Sequence, residues 1–261
     1  MNVKIAIAQI DITFGNPQKN RKKVQQWIEM ASLQSPDIIV FPELWDTGYD
    51  LSRLEEIADS NGESSIKLLQ QLAKKHKVHI VGGSIANIQE NGIKNTLIVI
   101  DDKGNLVKEY SKLHLFQLMN EHKYLIPGND DGLFTLMNFP FAAFICYDIR
   151  FPEWMRKHVL QGAKALFVVA EWPSARLDHW RSLLITRAIE NQCFVIACNR
   201  VGSDPNNEFA GQSLIINPWG EVIAEGKDKE ELIIQEINLS DVETIRQRIP
   251  IFTDRRPEYY N

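Results

Sequence analysis

Two polar residues interrupt strand ends that are otherwise apolar, and both carry side chains that can do chemistry. Cys146 lies in Phe144-Ile145-Cys146-Tyr147-Asp148, and Glu43 ends Ile38-Ile39-Val40-Phe41-Pro42-Glu43. In open α/β sheets, reactive groups gather beyond the carboxyl ends of strands. A helix-start signal, Pro152-Glu153, follows Cys146 closely. Such a sharp strand-to-helix turn projects a side chain outward, as in a nucleophile elbow. Backbone N–H groups near the helix start would then favour a thiolate and an oxyanion. The same position also suits a small buried apolar residue, which is what most free cysteines are. Glu43 reads either as a general base tuned by burial and a cation, or as a structural ion pair or cap. Left unpaired, it would be costly to bury. A cation is available in Tyr110-Ser111-Lys112-Leu113-His114-Leu115-Phe116. Lys112 is either held inside by carboxylates or snorkels to the surface.

The aromatic residues Trp45, Tyr49, Trp172 and Trp180 stand near strand ends or helix starts. They are core packing or, for Trp45 and Trp172 just beyond Glu43 and Glu171, a pocket wall. Cys193 and Cys198 flank a strand-like run and would face opposite sides of it, which disfavours a shared metal site. No HExxH, P-loop, GxGxxG, GxSxG or CxxC pattern occurs, and Gly82-Gly83-Ser84-Ile85-Ala86 misses the serine elbow by one glycine. These absences leave an enzyme without metal or organic cofactor as the main catalytic option.

Composition narrows the class further. The chain has 261 residues, 44% hydrophobic and 24% charged, which suits a globular protein and excludes disorder. Its net charge is −5, and the basic cluster Lys74, Lys75 and Lys77 sits at the end of an expected helix. A backbone-tracking nucleic-acid binder would carry more positive charge. No apolar run approaches the ~20 residues that span a bilayer. Three cysteines and the lack of a signal-peptide pattern point to the cytoplasm.

The elements that must position these side chains follow from periodicity. Residues 3–10, 37–41, 78–85, 96–100 and 106–110 read as strands, with helices over 18–32 and around Ile66, Leu68, Leu69 and Leu72. The second half repeats the order: strands at 141–145, 165–170 and 194–198, helices at 152–161 and 179–191, then strands at 213–216, 222–224 and 232–237. Ser240 with Glu243 reads as a capping box for a last helix. Strands alternating with helices imply a mostly parallel core, and the hairpins make the sheets mixed. The expected fold is a four-layer α-β-β-α sandwich of two mixed sheets. Its halves are related by a pseudo-twofold in element order, within a single domain over residues 1–261.

Taken together, these segments resemble the carbon–nitrogen hydrolase (nitrilase) superfamily. Phe41-Pro42-Glu43, the lysine segment around Lys112, and Ile145-Cys146-Tyr147-Asp148-Ile149-Arg150-Phe151-Pro152-Glu153 match its Glu–Lys–Cys triad in order and spacing. The resemblance covers nearly the whole chain, including His179-Trp180 and Asn217-Pro218-Trp219-Gly220-Glu221-Val222. It implies that Glu43 is the base, Lys112 the oxyanion cation and Cys146 the nucleophile. It also implies a second glutamate, Glu121, before Leu125-Ile126-Pro127-Gly128. The chain looks most like the ω-amidase branch, which hydrolyses the terminal amides of 2-oxoglutaramate and 2-oxosuccinamate. The expected substrate side chains are Tyr147, Trp45, Tyr49, Trp172 and Arg176, with Arg176 gripping a carboxylate. The resemblance implies a small-molecule amide and water as reactants, no cofactor or metal, no nucleic-acid or membrane partner, and a homodimer. Other amidase substrates remain open (N-carbamoyl amino acids, deaminated glutathione, aliphatic amides), as do a non-catalytic binding role and a Cys–His thiol protease using His114 or His179.

Overall fold

The computed structural model describes residues 1–260. In the first half, β1 (Asn2–Gln9), α1 (Pro17–Ser32) and β2 (Ile38–Val40) lead to α2 (Leu54–Ile57), β3 (Asp59–Ser60) and α3 (Glu63–His76). Then come β4 (His79–Gln89), β5 (Gly92–Ile100), β6 (Leu106–Ser111) and the short α4 (Glu121–Tyr124). The second half holds β7 (Leu133–Leu136), β8 (Phe139–Ile145), α5 (Pro152–Leu160), β9 (Ala165–Ala170), α6 (Leu177–Asn191) and β10 (Phe194–Asn199). A small hairpin, β11 (Val201–Ser203) and β12 (Glu208–Ala210), precedes β13 (Leu214–Ile216), β14 (Val222–Glu225), β15 (Glu231–Asn238) and α7 (Asp241–Arg248).

One sheet runs β15-β1-β2-β4-β5-β6 and the other β14-β13-β10-β9-β8-β7. Each has a parallel trio at its centre, β1/β2/β4 in one and β8/β9/β10 in the other, with antiparallel strands outside. Read from opposite ends, the two orders are the same pattern, so the pseudo-twofold expected from element order is present. The inner faces of the sheets meet, with β1 against β10 and β4 against β9. Side-chain alternation separates the layers. Ile5 and Ile7 join the core between the sheets, while Ala6 and Ala8 turn to the core under α1 and α3. Helices α5 and α6 cover the other sheet.

Local chemistry accounts for most element ends. Asn16 accepts the Lys19 N–H at 3.0 Å and Pro17 opens α1. The Asp59 carboxylate takes the Ser64 and Ser65 N–H groups at the start of α3. The basic cluster at Lys74 and Lys75 occupies the last turn of α3, where cations complement the helix dipole. Ser240 departs from expectation. Its backbone is already helical and its hydroxyl faces the N-terminal ammonium of Met1 at 3.2 Å, so it makes no side-chain cap for α7. The β1–β15 pairing brings the chain start there and competes for the hydroxyl.

Asp46, just beyond the Glu43 turn, is fully buried. Its carboxylate accepts the Thr47 N–H at 2.9 Å and the Ala86 N–H at 3.1 Å. Burial pushes its carboxyl from 3.8 up to about 7. A carboxyl raised on folding contributes stability at low pH that is lost as pH rises through its folded value. Urea unfolding at acid and alkaline pH should therefore show wild type losing up to about 4 kcal/mol relative to Asp46→Asn. The loss falls between pH 3.8 and about 7. A constant difference between the two proteins would refute this.

Candidate active site

The cysteine turn begins where β8 ends. Cys146 has φ of +45°, a left-handed conformation costly for a non-glycine residue, and opens the turn Cys146–Arg150. Asp148, fully buried, secures that turn. Its Oδ2 accepts the Ile145 N–H at 3.0 Å and the Tyr110 hydroxyl at 2.8 Å. Its Oδ1 accepts the His114 N–H at 3.1 Å and lies 2.8 Å from His114 Nδ1. Tyr110 and His114 stand on either side of Lys112, so one carboxylate ties the lysine segment to the cysteine turn.

The Glu43 turn is held by the chain opposite. Leu44 N–H donates to Ser84 Oγ at 2.9 Å, and Trp45 N–H to the Ser84 carbonyl at 3.0 Å. Gly83 has φ of +64°, and a Cβ there would come within 2.1 Å of the Pro42 carbonyl oxygen. The Gly82-Gly83-Ser84 run that resembled a serine elbow is thus the support under Glu43. Likewise Gly128 packs on the lysine segment, its N–H donating to the Lys112 carbonyl at 2.9 Å.

These turns deliver a fully buried ionic cluster. Lys112 Nζ lies 2.8 Å from Glu43 Oε1 and 2.6 Å from Glu121 Oε1, with all three side chains inaccessible to solvent. The Tyr49 hydroxyl donates its one proton to Glu121 Oε1 at 2.5 Å and lies 3.1 Å from Glu43 Oε1. Asn95 Nδ2 adds a donor to Glu43 Oε1 at 2.8 Å. Glu43 Oε2 accepts the Glu171 N–H at 2.8 Å and, among the described residues, has accepting capacity left. Glu121 Oε2 accepts the Phe116 N–H at 2.7 Å. Burial pushes the Lys112 ammonium down, but Glu121 and Glu43 overcome it and hold the amine well above the usual lysine range. Burial raises the Glu121 carboxyl against the pull of Lys112.

Cys146 faces Glu43, Lys112 and Glu121. Burial, then the Glu43 carboxylate, pushes its thiol well above the usual cysteine range, with Lys112 opposing. The helix-start thiolate expected from sequence is outweighed by desolvation: the resting group is a thiol that needs a base. Neither histidine fills that role. His114 is engaged by Asp148 and stacks on Phe151 with centroids 3.6 Å apart, and His179 Nδ1 faces Arg150 at 3.3 Å. The Cys–His protease alternative falls on this placement.

A narrow cleft opens at Cys146, lined by Phe116, Met119, Tyr147, Trp172 and Pro173 together with Arg150 and Arg176. The Arg150 guanidinium lies 4.9 Å from the Trp172 ring centroid, and that of Arg176 lies 5.3 Å from the Phe116 ring. No carboxylate pairs with either among the described residues. Of the pocket residues expected from sequence, Tyr147, Trp172 and Arg176 line this cleft. Tyr49 stands behind it, with its hydroxyl on the carboxylates. Trp45 belongs elsewhere: it is fully buried in the core under α1 and α3, with Nε1 donating to the Gly82 carbonyl at 2.6 Å. The direction of the chain after Leu44, with φ of +40°, aims it away.

Sequence reasoning missed Asn95, Asp148 and Arg150 as site residues. Arg150 sat inside the cysteine motif and was readable there; Asn95 sits mid-strand in β5 and carried no signal. Glu171 is also fully buried, 2.8 Å from Arg200 Nη1, and burial pushes its carboxyl up to about 8. It follows β9 as Glu43 follows β2, so the two glutamates occupy equivalent places in the two halves.

A cysteine beside a Glu–Lys pair, between two stacked α/β sheets, defines a thiol-dependent hydrolase of carbon–nitrogen bonds. Residues 4–247 match the family described as carbon-nitrogen hydrolase. The chain is 53% identical to 2-oxoglutaramate amidase of Bacillus subtilis, covering all of both chains. It is 31% identical to an omega-amidase of Yersinia enterocolitica, over 97% of this chain and 96% of the relative. A CN-hydrolase superfamily protein from Xanthomonas campestris, solved with an arsenic adduct in its active site, superposes with a TM-score of 0.92 at 29% identity, covering 98% of each chain. The chain belongs to the carbon–nitrogen hydrolase family, and is an amidase of the nitrilase superfamily.

Lys112→Met leaves two buried carboxylates without their cation. It should cost about 3–5 kcal/mol in urea unfolding near neutral pH, less in mild acid where a carboxylate can take a proton. A loss below about 1 kcal/mol, the size of an exposed pair, would contradict the buried cluster.

Proposed function

We propose that this enzyme is an ω-amidase that hydrolyses the terminal amide of 2-oxoglutaramate, and of the shorter 2-oxosuccinamate, to the 2-oxo dicarboxylate and ammonia. Glu43, through Oε2, takes the thiol proton of Cys146, and the sulfur attacks the amide carbonyl. The Lys112 ammonium has three protons, of which the carboxylates take two; the third, held only by a long 3.5 Å contact to the Tyr49 oxygen, turns with a backbone N–H near Tyr147 to meet the oxyanion. Glu43 returns its proton to the departing ammonia. Water, deprotonated by the same carboxylate, then cleaves the thioester, and Glu43 passes that proton to the departing Cys146 sulfur. Glu121 keeps Lys112 charged and in place. No metal or organic cofactor enters these steps.

The observation that carries the substrate class is the pair of unpaired guanidinium groups at a narrow, otherwise apolar cleft. A keto-acid amide brings a carboxylate to one end of the site and the reacting amide to Cys146. Arg176, with Arg150 beside it, supplies the fork that grips such a group. The likeness to the Bacillus subtilis amidase supports the same reading. An uncharged aliphatic amide would leave both arginines idle. We further propose that the chain acts as a single hydrolase unit, as a homodimer, in the cytoplasm, where its three free cysteines stay reduced.

Ammonia release is the direct test, with 2-oxoglutaramate, glutamine, N-carbamoyl-alanine and a simple nitrile as parallel substrates. Turnover confined to the keto-acid amide, and lost in Cys146→Ala, is expected. Turnover of another substrate instead would keep the nucleophile and move the specificity. Arg176→Ala should raise KM for the keto-acid amide at least about tenfold, the worth of one charge-assisted contact, and leave an uncharged amide unaffected. Equal effects on both would remove the arginine from the binding site.

A further inference from the structure

Tyr49 does not line the cleft. Its side chain is 8% exposed and its hydroxyl ends between the two carboxylates that hold Lys112. The oxygens it touches, Glu43 Oε1 and Glu121 Oε1, are the same two that Lys112 Nζ touches. Nζ itself stands 3.5 Å from the hydroxyl. The two glutamates are therefore joined by the cation and touched in common by the phenol, whose one proton goes to Glu121 with Glu43 as the longer contact. Without the phenol, two like charges would be held in place by one ammonium alone.

We propose that Tyr49 is a positioning residue of the amidase reaction: its hydroxyl, donated to Glu121 Oε1 and 3.1 Å from Glu43 Oε1, fixes the two carboxylates in one arrangement around the Lys112 ammonium. Burial, then Glu121 and Glu43, holds the phenol itself well above its usual range, so it acts only as a donor. The charged and titratable groups around it are few. Lys112, Glu43, Glu121 and Cys146 face it directly, and Glu171 reaches the cluster through its N–H on Glu43. Gly48, with φ of +59°, turns the chain so that Tyr49 points inward. A Cβ on Gly48 would lie 3.8 Å from both Glu171 Oε1 and Arg200 Nη1. The Tyr49 backbone is thus seated against the buried Glu171–Arg200 pair, not on the open cleft.

The substitution Tyr49→Phe removes only the hydroxyl. Alkylation of Cys146 by iodoacetamide, followed across about pH 5 to 9, reads the carboxylate that takes the thiol proton and needs no substrate. Losing the hydroxyl removes the donor on Glu121 and the longer contact to Glu43, so the acid limb should shift by about one pH unit. At neutral pH kcat should fall about tenfold with KM unchanged. Replacement of Tyr49 by 3,5-difluorotyrosine, a stronger donor of nearly the same shape, should move the limb the other way. It decides the matter even if Tyr49→Phe fails to fold. An unmoved acid limb in the fluorinated protein, or in a folded Tyr49→Phe, would overturn the proposal. So would a rise in KM at constant kcat, which marks a substrate wall. Because alkylation is independent of the amide used, this outcome stands apart from the choice of 2-oxoglutaramate.

Discussion

Everything in this site depends on one ammonium held between two carboxylates out of reach of water. Burying the Lys112 charge carries a desolvation cost of several kcal/mol, which only close and well-directed partners offset. Glu43 and Glu121 supply them at 2.8 and 2.6 Å. The carboxylates in turn need donors, found in Tyr49, Asn95 and the N–H groups of Phe116 and Glu171. Satisfying that whole set brings five chain segments to one point, and the stacked sheets provide it.

The two halves of the fold divide the work. The first sheet and its loops carry Glu43, Lys112 and Glu121; the second carries Cys146 and the cleft wall at Trp172. The contact between halves is direct, because the Glu171 N–H rests on Glu43. Asp148 makes the other connection, joining the cysteine turn to the residues on both sides of Lys112. The spacing of nucleophile, base and cation is therefore set by hydrogen bonds across the interface of the two sheets and not by any single loop.

The electrostatics of the resting state follow from the same enclosure. Desolvation, then the Glu43 carboxylate, pushes the Cys146 thiol well above its usual range, so burial favours the thiol over the thiolate. Toward the cleft the sign of charge reverses, with Arg150 and Arg176 stacked on aromatic rings and, among the described residues, without acid partners. A substrate with an anionic end and a neutral amide end matches both regions at once.

Much of this was legible in the residues themselves. Element order, the helix start at Pro152-Glu153, and the polar ends of two apolar strands follow from local propensity and periodicity, which act over a few neighbours. The triad residues stood out because a charged or thiol side chain at a buried strand end needs a reason. Three-dimensional packing decided the rest, since it alone determines which distant groups meet. It turned Trp45 into the helix–sheet core and Tyr49 onto the carboxylates, although both are aromatic residues just beyond Glu43. It drew the Ser240 hydroxyl to the chain's own N-terminus and gave the unmarked Asn95 a place on the catalytic base. Sequence spacing gives the types of group present near a strand end; the direction each side chain takes depends on partners up to a hundred residues or more away, such as Glu171 for Glu43.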